Sequence, residues 1–413
     1  MSESSAPKPA ASGRWTWLLF VALAGLSWGT YVPVVFYGGK ELTTDPTKVS
    51  GRLMSILCVG VAYFFLAVLI PLGLFLSKKH AWPALKATGL LFSGLAGVMG
   101  AVGAIAVIFA SKAAVDAAKA AGLPDGSYRA YIAPLIFGLA PVINTLVSLV
   151  WHPKPGSPWH FKLEHLPGWK LILGIVLVGL GAFLVLYAKE RAESASKGAP
   201  RPAAVAKAEQ PADHSETHEV HYEWLGYVLI AGLAWGTYVP IVFYGGQELT
   251  GKPGELGGRL MSILCVGMAY FLLAVLVPSG LMSSGVFTWP QNITTSGLVF
   301  SGLAGVAGAV GAICVIFASK SAVDSAKAAG LPPASFRVYI APLIFGVAPV
   351  INTLVSLFWH PQKGGDFMHF GLESTPDPTL WLGIASVGAG ALMVLFAKAQ
   401  SEAAPAKPAG AGK

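Results

Sequence analysis

Charge is scarce in this chain. Of its 413 residues only 12% are Asp, Glu, Lys or Arg, against 54% that are hydrophobic. A soluble domain needs a far more polar surface than that, so a single water-soluble core is excluded. Cysteine is scarce too. Cys58, Cys265 and Cys314 all lie inside apolar runs, which excludes a disulfide framework and leaves them a structural role. No metal-ligand cluster, nucleophile–base arrangement or phosphate-cradling loop occurs, so the chain reads as neither an enzyme nor a cofactor binder. No apolar run has Asp or Glu at its centre, which weighs against an exporter built on a membrane-embedded acid. No run carries the repeated polar residues that line a channel, and no soluble domain is present to act as a sensor or assembly module.

What is there is apolar and long. Runs near 15–38, 52–76, 90–111, 131–151 and 171–188, then 223–246, 260–282, 296–318, 339–359 and 380–397, each approach the roughly 20 helical residues that cross a bilayer. Their apolar residues run on without alternating, which predicts helices and not barrel strands. The first run has a basic lead-in (Lys8, Arg14), but it is too long for a signal-peptide core and is expected to remain in the protein.

The runs come in two matching sets of five. Trp-Gly-Thr-Tyr-Val-Pro stands at 28–33 and again at 235–240. GRLMSILCVG at 51–60 recurs unchanged at 258–267, and APVINTLVSL at 140–149 recurs at 348–357, offsets of 207 to 208 residues. The sequence therefore divides into a tail (1–14), a first repeat (15–188), a linker rich in Ala, Pro, Glu and Lys (189–222), a second repeat (223–398) and a closing tail (399–413). The linker is read as flexible and the two tails as disordered. Five is odd, so the second copy should enter the membrane inverted. The fold expected is all-α and integral to the membrane, with ten transmembrane helices as two five-helix inverted-topology repeats.

Positive charge gives the orientation. Lys78, Lys79 and Lys86 follow the second run, whereas the copied loop at 283–295 has no Lys or Arg. Lys154, Lys162 and Lys170 follow the fourth, whereas its copy keeps only Lys363. Both ends are thus expected in the cytoplasm and the protein in the cytoplasmic (inner) membrane. The net charge of +8 lies in loops and tails, where it sets topology and does not imply nucleic acid.

Two sets of residues stand out as a site. Pro33 has no N–H to give the Gly29 carbonyl four residues back, and Pro240 does the same to Gly236. Trp28 and Tyr31 share a helical face beside the freed carbonyl, and Trp235 and Tyr238 mirror them. Aromatic faces next to free carbonyls suit a sugar ring; a girdle of interfacial aromatics around a packing kink is the plainer alternative. Phe137, Pro141, Asn144 and Ser148 share a face in the fourth run, with copies Phe345, Pro349, Asn352 and Ser356. Asn144 and Asn352 must find hydrogen bonds, to a substrate or, more commonly, to another helix. Gly94, Gly97, Gly100 and Gly103, copied as Gly302, Gly305, Gly308 and Gly311, let neighbouring helices approach closely.

Ionisable groups gather at the ends of the runs. Lys112, Asp116 and Lys119 are copied as Lys320, Asp324 and Lys327, and Arg52 and Arg129 as Arg259 and Arg337. Glu41 and Glu164 are copied as Glu248 and Glu373. Most suit ion-paired or snorkelling roles. For a proton-coupled carrier, Asp116 and Asp324 with Lys112, Lys320, Arg52 and Arg259 are the coupling or gating candidates.

Ten spans, the five-plus-five duplication and the early Trp-Gly pair of each half resemble the drug/metabolite transporter superfamily. The Trp-Gly-Thr-Tyr-Val-Pro segment is most similar to the glucose/ribose porter and rhamnose–proton symporter group. The likeness spans about 15–188 and 223–398. It implies a ten-helix inverted-repeat fold, alternating access and secondary uptake of a small polar metabolite, with a sugar as first choice; a proton or sodium ion is the candidate coupling partner. The chain departs from that pattern in having unusually similar halves and a long linker. An exporter of amphipathic compounds and a non-transporting membrane module are the competing readings.

Overall fold

The computed structural model describes residues 16–43, 49–123, 127–154, 156–163, 168–198, 222–250, 256–291, 293–331, 336, 340–362, 364, 366–371 and 377–403. Glu164, Arg337, Lys363, Glu373, the tail at 1–14 and linker residues 199–221 lie outside them, as do residues 404–413 of the closing tail.

Helices dominate. In the first half they are α1 (Thr16–Glu41), α2 (Ser50–Leu76), α3 (Ala87–Ala120), α4 (Arg129–Val150) and α5 (Trp169–Gly198). In the second they are α6 (Glu223–Thr250), α7 (Leu256–Ser283), α8 (Thr295–Ala328), α9 (Ile340–Phe358) and α10 (Pro378–Ala403). By length and composition α1, α2, α3, α6, α7, α8 and Pro378–Ala397 of α10 can cross a membrane, seven in all among the described residues. The protein is therefore an all-α, multi-pass membrane protein. Helices α4, α5 and α9 carry shorter apolar stretches, Tyr131–Val147, Trp169–Val185 and Leu343–Phe358.

Each apolar run coincides with a helix, the described bounds of α1, α4 and α9 falling short of theirs by a single residue at one or both ends. The helices overrun the runs where the flanking residues are good helix formers. The linker start at 189–198 continues α5, because Ala, Lys, Glu and Arg sustain a helix outside an apolar environment. Helices α2 and α7 contain something the apolar pattern does not reveal. Phe64–Leu69 and Phe271–Leu276 are single π-helical stretches, each leading into a proline, Pro71 or Pro278. A proline cannot donate to the carbonyl four residues back, and widening the preceding turn relieves that mismatch.

The two halves interleave. Helix α1 packs on α8 and α9, α6 packs on α3 and α4, α2 crosses α7, and α5 lies along α10. Small residues permit these approaches. A side chain on Gly29 would stand 2.7 Å from Ile351 of α9 and 2.8 Å from the Ala348 carbonyl; on Gly236 it would stand 2.6 Å from Ile143 of α4. Lipid chains are as apolar as leucine, so close packing and hydrogen bonds must hold such contacts together, because burial from water does not. Outward-facing Leu19, Phe65, Leu91, Ile172, Leu229 and Leu272 are correspondingly exposed.

Candidate solute cavity between the halves

A cavity of about 80 Å3 lies where the halves meet. By the same measure one water needs roughly 10–15 Å3, so the space equals about five to eight waters, enough for a solute of one or two rings. Its wall is almost wholly aromatic: Trp28, Tyr31, Tyr63 and Phe137 from the first half, and Trp235, Tyr238, Tyr270 and Phe345 from the second, closed by Gly100, Gly308, Val239 and Ala312. Every ring has its counterpart from the other copy.

Each tryptophan is seated by the glycine row of the opposite half. The Trp28 indole N–H donates to the Gly308 carbonyl at 3.2 Å, and the Trp235 N–H to the Gly100 carbonyl at 3.2 Å. A Cβ on Gly311 would strike Trp28, and one on Gly103 would strike Trp235. Gly94 and Gly302, one turn or more away, face open space. The three-residue glycine spacing thus holds rings as well as admitting helices. Phe345 tilts against Trp28 with centroids 6.1 Å apart, Phe137 against Trp235 at 6.0 Å, and Tyr31 meets Trp235 edge-on at 6.4 Å.

Tyr63 and Tyr270, which the sequence reading passes over, stack at 4.0 Å and 3°. They stand at the last α-helical position before the two π stretches, and they follow the unchanged decapeptides closely. A tyrosine ahead of a proline-relieved turn in both copies is the signal that could have found them. Tyr31 is 6% exposed, and its hydroxyl has no hydrogen-bond partner among the described residues. It is a polar group that the wall leaves available to a solute.

Asn144 and Asn352 do not line this space. The Asn352 amide donates to the Gly29 carbonyl at 3.2 Å and the Asn144 amide to the Gly236 carbonyl at 3.4 Å. These are the two carbonyls that Pro33 and Pro240 release. The sequence predicts both the released acceptors and the hungry amides; the structure joins them to each other, α9 to α1 and α4 to α6. Both Asn are at most 4% exposed. In a bilayer an unpaired carbonyl and an unpaired amide would each be costly, and one hydrogen bond answers both.

The ionisable candidates lie elsewhere, at helix ends. Lys112 pairs with Asp116 at 3.6 Å and Lys320 with Asp324 at 2.7 Å, with both aspartates about half exposed (51% and 55%). Arg259, in the first turns of α7, donates to Ser319 of α8 at 2.7 Å. Arg52 is its half-buried counterpart on α2, and Arg129 rests over the Phe36 ring at 4.7 Å. None of these lines the aromatic cavity.

No protein-family model matches the sequence, and no curated protein matches it.

Proposed function

We propose that this protein is a secondary transporter of the cytoplasmic membrane, with ten transmembrane helices in two inverted five-helix repeats, that carries a small solute by alternating access. The observation that carries this reading is the cavity: equivalent rings from two copies of one unit surround a single space between them. Equivalent residues touch only near an axis that relates the copies, and a site on such an axis is the arrangement of an inverted-repeat carrier.

The helix ends that meet also support inversion. The C-terminus of α1, the N-terminus of α8 and the loop after α9 come together around Glu41. The C-terminus of α6, the N-terminus of α3 and the loop after α4 come together around Glu248. If every helix crosses once, the first three ends lie on one face and the second three on the other. The loops richer in lysine then face the cytoplasm with both chain ends.

The wall suits an uncharged solute with an apolar face. Its polar groups are tyrosine hydroxyls, because the indole N–H groups are engaged by backbone. A sugar stacks its C–H face on such rings and hydrogen-bonds with Tyr31. The eight rings also favour a second reading, an aromatic or methylated-ammonium solute, since ring faces attract weakly hydrated cations. Uptake by proteoliposomes from a panel of labelled sugars, nucleosides, amino acids and choline-like cations decides between them. Sugar uptake that Trp28→Ala and Trp235→Ala each weaken, by up to about 1–3 kcal/mol of binding, is the expected result. Uptake of cations alone would favour the second reading, and no uptake of any of them would overturn both.

A further inference from the structure

Two buried glutamates stand at opposite ends of the interleaved helices, each 2% exposed. At one end, Glu41 accepts from the Ser296 hydroxyl at 2.8 Å and from the Gly364 backbone N–H at 3.0 Å. Thr294, which caps α8 by accepting from Gly297, donates to the Glu41 carbonyl at 3.0 Å. At the other end, Glu248 accepts from the Thr88 hydroxyl at 3.2 Å and from the Gly156 N–H at 2.9 Å. No cation pairs with either carboxylate among the described residues. Each buried carboxylate thus accepts from a hydroxyl of a neighbouring helix and from an N–H of a loop.

Those loops are built alike. The segment after α4 folds back on itself through Trp151 opposite Phe161 and Lys154 opposite Ser157; the one after α9 does so through Trp359 opposite Phe370. Gly156 and Gly364 have φ of +77° and +102°, a region that residues with a Cβ resist. That conformation turns each glycine N–H inward to its glutamate. The loop's aromatic residues then settle over the helix ends. Trp151 packs against Phe92 of α3 and Tyr244 of α6, and Trp359 against Phe300 of α8 and Tyr37 of α1.

We propose that Glu41 and Glu248 are the latches of two gates. Each carboxylate pins an aromatic loop across the helix ends at one mouth of the cavity, and the transport cycle releases the latches one at a time. This rests on the carrier reading. Helix α1 bears both Trp28 and Glu41, and α6 bears both Trp235 and Glu248, so each latch sits on a helix whose ring lines the cavity. Hydrogen bonds to a buried charge are among the strongest a fold makes, so losing one latch should shift the balance of open states decisively toward its own side.

The test uses full-length protein without Cys58, Cys265 and Cys314 and with a reporter thiol in the cavity wall, Val239→Cys. A membrane-impermeant thiol reagent is applied to right-side-out and to inside-out vesicles. Glu41→Gln should raise labelling from one face by about tenfold and lower it from the other, and Glu248→Gln should do the reverse. Ser296→Ala and Thr88→Ala, which remove one hydroxyl from each latch and disturb the fold less, should move labelling in the same two senses by smaller factors. A simple loss of stability would not produce opposite signs. Shifts of the same sign for both latches, or none, with the reporter reactive from both faces, would overturn the latches and leave the carrier standing. A reporter reactive from one face alone in every variant would overturn the carrier as well.

Discussion

Tyr63 and Tyr270 occupy the same position in the two halves and lie face to face, their ring centroids 4.0 Å apart and their planes 3° from parallel. Two equivalent residues in direct contact are what a pseudo-two-fold axis between the proposed repeats requires, and here the contact forms one wall of the cavity. The near-identical flanking segments explain the symmetry: the same residues, followed by the same proline-relieved turn, bring each ring to the same depth. In a double-mutant cycle, Tyr63→Ala and Tyr270→Ala should be coupled by about 1 kcal/mol in the stability of the purified protein, as stacked aromatic pairs are. Additive losses would mean that the stack contributes no more than its area.

The tryptophan seats give a sharper contrast. Gly103→Ala and Gly311→Ala each place a methyl group where an indole ring lies, and the ring must leave its carbonyl partner. Overpacking of this kind costs about 1–3 kcal/mol, and solute uptake should fall severely. Gly94→Ala and Gly302→Ala, which meet open space, should leave uptake and thermal stability near wild type. The four variants assayed together separate a seat for a ring from a general need for small residues.

The asparagine–proline pairing makes a prediction that a substrate contact would not. Asn352→Ala should lower stability by about 1–3 kcal/mol, because the Gly29 carbonyl is left unpaired and buried. Adding Pro33→Ala restores an N–H in α1 that can reach that same carbonyl, so the double variant should recover much of the loss. The affinity for solute should change little in either. Asn144 and Pro240 should behave alike through Gly236. A thermal melt of the detergent-solubilised variants checks all of these, and failure of the proline change to rescue would break the link.

How far the residues disclose this molecule follows from the range of the forces involved. Apolar runs mark helix positions to within a few residues at most boundaries, because crossing hydrocarbon leaves the backbone no alternative to a helix. The Gly29 and Gly236 carbonyls are legible because proline chemistry is local. Their partners are not, since Asn352 lies in the opposite half and nothing in its own helix says that α1 will be its neighbour. The same holds for the glycine row: its three-residue step says that something approaches, but not that Trp28 and Trp235 do. Trp28, Tyr31, Trp235 and Tyr238 meet in one cavity as their shared helical faces suggest, whereas Tyr63 and Tyr270 enter it through a crossing of α2 and α7 that only tertiary packing sets.

The ion pairs at the ends of α3 and α8 have a modest expected role. Lys112–Asp116 and Lys320–Asp324 are partly exposed pairs four residues apart, the kind worth about 0.3–0.5 kcal/mol. Asp116→Asn and Asp324→Asn should each shift stability by no more than that and leave the pH dependence of uptake unchanged. A displaced pH profile in either variant would instead make these aspartates part of the coupling machinery.

The cavity and its latches both depend on the two halves lying inverted in the membrane. Lys79 and Val286 occupy matching loops, after α2 and after α7, and both are exposed. With the three native cysteines removed, Lys79→Cys should resist a membrane-impermeant thiol reagent in intact cells and react only once the membrane is opened, whereas Val286→Cys should react at once. Labelling of both from the same side would make the halves parallel and remove the shared axis proposed to run through the cavity.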